Sequence, residues 1–305
     1  MINSLSASEA TFLRNIEKIQ ARGERAQMEV ASGKRIFTAS DEPDGVSALL
    51  TTRAEIEANE QLTNNLGRTK AEVDAGENGL QQAIKVLERA RTLAAQGKNG
   101  FNVESTWTAL ALEAGDLTQQ LLNVSNLAIE GRYIFAGNSD ANQPFNYDPS
   151  LEAVTSYSGS AATRQSLYPG GNPFNVAKSG DVIFDSAGVD SNGISKSAFA
   201  ALKSLRDALT AKDDDGLRIA LQAIETSAKH LSGELSFYGA TQRRVVEANS
   251  AAQSTSLRLS SQLMRLEDSD LTQAILESQQ AQFQLQAAFQ IRGQRPRQTL
   301  FDYLG

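Results

Sequence analysis

The chain has no cysteine among its 305 residues. That excludes disulfide staples, thiolate nucleophiles and cysteine-ligated zinc. A single histidine, His230, leaves no second imidazole for a paired-histidine metal site or a conventional nucleophile–base couple. Aromatic residues are only 6% of the chain, with one tryptophan, against 40% hydrophobic residues in total. A core poor in rings and rich in Leu and Ala suits helix bundles better than β-sandwiches. The longest apolar run is Ala198–Leu202, far short of the roughly 20 residues that span a bilayer. Residues 1–20 lack the basic start and apolar run of a cleaved signal peptide. Positive charge is scarce too: the net charge is −7, with Lys and Arg dispersed among carboxylates, which argues against a nucleic-acid footprint.

What is present is heptad spacing. Phe12, Ile16, Ile19, Gly23, Ala26 and Val30 alternate steps of four and three. The rhythm returns at Leu66, Val73, Leu80, Ile84, Leu87 and Ala94, with Lys70, Glu77 and Arg91 interrupting, so that seam is expected to be partly exposed. Ala95–Asn102 reads as a helix stop, and a third helix follows through Leu110, Ala114, Leu117, Leu121, Val124 and Ala128 to about Glu130. Four of the six prolines lie between Pro144 and Pro173. They exclude long helices from 137–193, where short strands are expected at 153–159, 164–170 and 181–186. Helical spacing resumes at Phe199, Leu202, Leu205 and Leu209, breaks at Lys212–Gly216, and continues from Leu217 through Tyr238 to Leu266 before a phase shift leads to Leu271, Ile275, Leu285 and Phe289.

The expected architecture is therefore mainly α, a long coiled-coil or helix-bundle rod with a small β-rich insert. Expected boundaries are an N-terminal helix and turn at 1–45, bundle helices at 46–136 and 195–264, the insert at 137–194, and a C-terminal helix at 265–305. Periodicity leaves open whether the terminal helices pair parallel or antiparallel. From Glu267 to Thr299, nine glutamines accompany only seven Ile, Leu or Phe residues. Ordering backbone costs roughly 1–2 kcal/mol per residue, so a stripe this sparse needs neighbouring subunits to become rigid.

Candidate chemistry is thin. Gly33-Lys34 with Thr38 lacks the spacing of a phosphate loop, and its preceding segment reads as helix. Neither Asp41–Gly45 nor Asp213–Gly216 matches a calcium loop; helix-starting carboxylates explain the second. Arg292, Arg295 and Arg297 are too few for strong phosphate binding. No catalytic residue, cofactor or metal is expected, and the chain is not expected to be an enzyme.

The stretch SGKRIFTASDEPDG, Ser32–Gly45, resembles the turn after the first terminal helix in the flagellin superfamily of bacterial flagellar axial proteins. AQFQLQAAFQI and the closing FDYLG resemble that superfamily's C-terminal helix and tail. EGRYIFAGNSDANQPF, YSGSAATRQSLYPG and SGDVIF are more similar to its junction branch, the subunits between hook and filament, than to filament flagellins. Departures from the pattern are DEPDGVSAL in the turn and Pro296 near the end. The resemblance implies a structural, self-assembling protein, exported unfolded by the flagellar type III apparatus with an export chaperone. It implies contacts with copies of itself, with the first hook–filament junction protein and with flagellin, but no nucleic acid and no membrane. It also implies that the terminal helices line an inner tube. On that reading Phe12, Ile16, Ile19, Leu271, Ile275, Leu285 and Phe289 belong to an assembly coiled coil, and Arg35, Asp41 and Asp44 to contacts between neighbouring subunits. Filament flagellin and a secreted coiled-coil adhesin are the alternatives.

Overall fold

The computed structural model describes residues 2–38, 41–98 and 103–293; the side chains of residues 2–8 and 44 lie outside that description. The elements are α1 (Ile2–Ser32), α2 (Pro43–Gly97), α3 (Glu104–Ser125), β1 (Ala128–Ile129), β2 (Arg132–Tyr133), β3 (Tyr147–Asp148), β4 (Ala153–Val154), β5 (Gln165–Leu167), β6 (Pro173–Asn175), α4 (Gly180–Ile183), α5 (Ala198–Ala211), α6 (Asp214–Glu267) and α7 (Leu271–Gly293). The chain divides into two units, one of residues 1–58 with 256–305 and one of residues 59–255. No helix among the described residues is long and apolar enough to cross a membrane.

The 59–255 unit holds the large core. Leu66, Val73, Leu80, Leu87 and Leu93 of α2 meet Leu121 of α3, Leu202, Leu205 and Leu209 of α5, and Leu217, Leu231 and Val245 of α6, all buried. The α2 seam is buried at Leu66, Val73, Leu80, Leu87 and Ala94 and partly exposed where expected, with Ile84, Lys70 and Glu77 half-buried and Arg91 exposed. Lys70 is accommodated at a half-buried position, its ammonium paired with Asp74 at 2.6 Å. Trp107 packs half-buried against the same core. Close approach of α2 and α6 is set at Gly76: a β-carbon there would sit 2.4 Å from Cε1 of the buried Tyr238.

Among the described residues the strands form three separate two-stranded antiparallel ribbons, β1–β2, β3–β4 and β5–β6. Helix α3 stops at Ser125 instead of near Glu130: Asn126 leaves helical geometry (φ −102°, ψ 22°), and Glu130 and Gly131 both take positive φ (51° and 78°). That pair makes the tight hairpin turn that joins β1 to β2. Asn126 then fixes the exit, donating to the Phe145 carbonyl at 2.9 Å and accepting its N–H at 3.1 Å. The 181–186 stretch is not a strand. Residues 180–183 form one helical turn with the Phe184 N–H on the Gly180 carbonyl at 2.8 Å, which lets adjacent Ile183 and Phe184 both be buried. Phe184 stacks edge-on to Phe135 at 5.0 Å, and Phe145 meets Phe199 at 5.1 Å. These rings join the insert to the same core as the helices, and the Lys178–Glu234 ion pair at 2.6 Å ties the insert to α6. His230 joins the same side, its Nε2 2.8 Å from the Val182 carbonyl.

Candidate functional site

In the terminal unit, α1 and α7 lie antiparallel. Ser269 donates to Glu29 at 3.1 Å at one end, Arg22 to Gln284 at 2.5 Å mid-way, and Arg292 pairs with Glu9 at 2.8 Å at the other end. Arg292 also stacks over the Phe12 ring, 5.0 Å from its centroid. The seam uses small residues. Ile16, Gly23 and Ala26 of α1 face Ala274, Ala281 and half-buried Leu285 of α7, and a β-carbon on Gly23 would lie 3.1 Å from that of Ala281. Small residues let two helices approach closely but bury little apolar surface.

The turn between α1 and α2 is sewn to the break between α6 and α7. Gly33 ends α1 with φ 72°, a left-handed geometry that suits glycine, and its N–H reaches the Glu29 carbonyl at 2.8 Å. The Arg35 N–H then donates to the Glu267 carbonyl at 2.7 Å, and the Ser269 N–H to the Gly33 carbonyl at 2.9 Å. The buried Glu267 carboxylate holds Lys34 on one side and Arg53 of α2 on the other, the latter at 2.9 Å. Burial works to raise its pKa, but the hydrogen bonds and charges of Lys34 and Arg53 outweigh it and leave it below the ordinary glutamate value. Asp270 caps α7, accepting the N–H groups of Thr272 and Gln273 at 3.0 and 3.1 Å.

Asp41 closes the turn from within. Its carboxylate accepts the N–H groups of Thr38 at 2.7 Å and Phe37 at 2.9 Å and pairs with Arg25 at 3.2 Å. The Thr38 and Phe37 amides, ahead of Arg25, hold its pKa below the usual aspartate value. Arg35 pairs with Glu42 at 2.5 Å and donates to the Leu266 carbonyl at 3.2 Å. Both therefore bond inside their own chain. The Asp44 side chain lies outside the described residues, as do Arg295, Pro296, Arg297, the FDYLG tail and Asn99–Asn102 of the helix stop.

Of the residues expected in an assembly coiled coil, Ile16 is buried on the seam, and Phe12, Ile19 and Leu285 are half-buried. Leu271, Ile275 and Phe289 are exposed; Ile275 and Phe289 sit one position past the internal seam of Ala274, Ala281 and half-buried Ala288, while Leu271 shares the heptad position of Leu285 at the exposed start of α7. They stand with Leu13, Leu276, Phe283 (72% exposed) and Ile291 (65% exposed) on surface that the pair does not cover. Sequence reasoning missed Glu267, Arg53, Glu29 and Asp270. The signal was there for Asp270, since Asp270-Thr272-Gln273 after a phase shift is a helix start with its cap.

An antiparallel terminal pair with a sewn turn is where family comparison decides. The bacterial flagellin N-terminal helical region matches residues 2–140, and the bacterial flagellin C-terminal helical region matches residues 221–304, together more than half of the chain. The chain belongs to the flagellin family. Among curated relatives, this flagellin-family chain is 30% identical over 188 residues to flagellar hook-associated protein 3 of Escherichia coli, covering 60% of the chain and 56% of that protein. It is 24% identical over 260 residues to a flagellin of Halalkalibacterium halodurans, covering 84% and 81%. The chain thus spans just over half the length of the Escherichia coli relative. Its fold is similar to a solved flagellar hook-associated protein from Vibrio parahaemolyticus, with TM-score 0.63 and 17% identity over 74% of this chain and 99% of that one. It is likewise similar to flagellar hook associated protein-3 from Legionella pneumophila, with TM-score 0.60 and 16% identity over 71% and 98%.

Proposed function

We propose that this flagellin-family chain is a structural subunit of the bacterial flagellum, positioned outside the cell at the junction between hook and filament. One observation carries the reading: the α1–α7 pair buries a seam of Gly and Ala while leaving Leu13, Leu271, Ile275, Phe283, Phe289 and Ile291 exposed. That many large apolar side chains exposed on one helix pair point to a surface meant for protein contact. The similarity to hook-associated protein 3 supports the junction over the filament body.

In this reading residues 1–45 and 265–305 are the assembly layer. Phe12, Ile16, Ile19 and Leu285 set the pair, and Leu271, Ile275 and Phe289 are buried by neighbours. Its partners are copies of itself, the first hook–filament junction protein, flagellin and an export chaperone. Arg35, Asp41 and Asp44 border the turn that meets the next subunit, with Arg35 and Asp41 contributing chiefly by shaping that turn. The mechanism is association, without a chemical step. Cells lacking the protein are expected to keep hooks and to release flagellin monomer into the medium. Purified protein is expected to form no long filaments under negative stain. Self-polymerised filaments would transfer the reading to filament flagellin; intact filaments on the deletion strain, with impaired attachment, would transfer it to an adhesin.

A further inference from the structure

A second surface lies within the 59–255 unit, away from the assembly helices in sequence. Helix α2 and strand β5 wall a groove of about 550 Å³. Leu62, Asn65, Arg68 and Glu72 line it from α2, and the continuous stretch 163–167 lines it from the ribbon, with Arg132 alongside. Two independent features meet there.

The first is an unpaired strand edge. In the β5–β6 ribbon, Gln165 faces Asn175, Ser166 faces Phe174 and Leu167 faces Pro173. The Val176 N–H donates to the Arg164 carbonyl at 3.0 Å and the Tyr168 N–H to the Asn172 carbonyl at 2.9 Å, so the bonded positions of β5 are 164, 166 and 168. Antiparallel geometry then turns the N–H and C=O groups of Gln165 and Leu167 away from β6. They have no partner among the described residues. A row of unpaired donors and acceptors is a template for one more strand.

The second is charge. The chain carries −7 overall, yet this groove gathers Arg68, Arg132 and Arg164 against the single lining carboxylate Glu72. Arg164 is committed internally, to Glu72 at 3.1 Å, to Asp140 at 3.8 Å and to the Ile134 carbonyl at 2.9 Å. Arg132 bonds Asp140 at 2.6 Å but keeps half its side chain exposed. Arg68 is exposed and has no ion pair or hydrogen bond among the described residues. The side chains of Asn65, Thr69 and Thr163, also lining the groove, likewise have no partner among the described residues and add further hydrogen-bonding groups.

We propose that this groove docks an extended acidic peptide segment of a partner protein, which adds to β5 as a third strand and directs alternate carboxylates at Arg68 and Arg132. The strand's period of two supplies the match: residues i and i+2 of the peptide share the face turned to the arginines. Nucleic acid is disfavoured, because three arginines with two adjacent carboxylates, Glu72 and Asp140, give too little charge for a phosphate backbone.

Titration calorimetry on the full chain tests this with a capped Glu-Val-Glu-Val-Glu-Val-Glu peptide at low salt. Saturable binding is expected, with none for the peptide carrying Lys at every Glu position. Arg68→Glu is expected to weaken binding about tenfold or more. Leu167→Pro, which removes an N–H that β6 does not use, is expected to weaken it while leaving the circular dichroism spectrum unchanged. A peptide N-methylated at alternate amides should lose binding in at least one of its two registers. No binding of the acidic peptide overturns the proposal. So does equal binding by wild type and Arg68→Glu. Equal binding of both N-methylated registers reduces the site to charge adsorption and overturns the strand addition. Concentration-dependent dimers abolished by Arg68→Glu, with no peptide bound, would hand the groove to a second copy of the chain.

Discussion

At the scale of residues, Glu267 concentrates the most consequence in one side chain. Its buried carboxylate joins Lys34 of the turn and Arg53 of α2 at the end of α6, while its carbonyl takes the Arg35 N–H. Because its folded pKa is depressed, the stabilisation it supplies is complete above the ordinary glutamate value of 4.5 and drains away as pH falls through the lower folded value. Glu267→Gln should therefore cost the terminal unit about 1–2 kcal/mol at neutral pH, since the stranded Lys34 and Arg53 are half-exposed and water can solvate them. It should also flatten the acid limb of stability, as followed by urea unfolding between pH 3 and 7, with those pH bounds chosen about the normal carboxylate range. An unchanged acid limb would remove Glu267 from that role. In the other unit, Gly76→Ala drives a methyl against the Tyr238 ring and should cost about 1–3 kcal/mol in thermal unfolding. A neutral result there would mean that α2 and α6 can part without penalty.

At the scale of elements, the helices were legible because their apolar residues recur at steps of four and three, and the α5 and α6 seams fall on buried positions such as Leu202, Leu217 and Leu231. Two elements were wholly or partly misread for definable reasons. The 181–186 stretch has the β-branched and aromatic composition of a strand, yet a helical turn lets adjacent Ile183 and Phe184 both be buried. The α7 seam was only partly legible, because it runs through Ala274 and Ala281 with half-buried Leu285, and Ile275 and Phe289 stand one position beyond it and face outward. The Glu267 clamp was hidden, since two cations 233 and 214 positions upstream give no local pattern. The antiparallel register, open from periodicity, is directly checkable in a chain without cysteine. Gly23→Cys combined with Ala281→Cys should close a disulfide under mild oxidation, after the helices yield a few tenths of an ångström to reach the usual β-carbon spacing of about 3.8 Å. A monomer that never forms the bond would contradict the register. Asp270→Ala, which strips the cap from α7, should cost about 1 kcal/mol and speed amide exchange in the first turn of that helix. Unaltered exchange there would show that tertiary contacts and not the cap hold that end.

At the scale of the whole molecule, the two units differ in what keeps them folded. Residues 59–255 close around a continuous core of Leu, Val, Phe and Tyr, while the α1–α7 pair rests on Ala, Gly and polar clasps. Hydrogen exchange on the monomer should be slow across α3, α5 and the 59–97 stretch of α2, and fast from about residue 1 to 45 and 265 to 305. Uniform protection would contradict ordering coupled to assembly. The same division has an optical consequence. Trp107 is the only tryptophan, and five of the six tyrosines lie between residues 133 and 238, so nearly all near-ultraviolet absorbance and emission originates in residues 59–255. An intrinsic-fluorescence melt therefore records that unit, and the terminal helices can come apart in the dark. Exchanging exposed Phe283 for tryptophan would light the pair, and burial of that ring by an arriving neighbour would register as a blue shift.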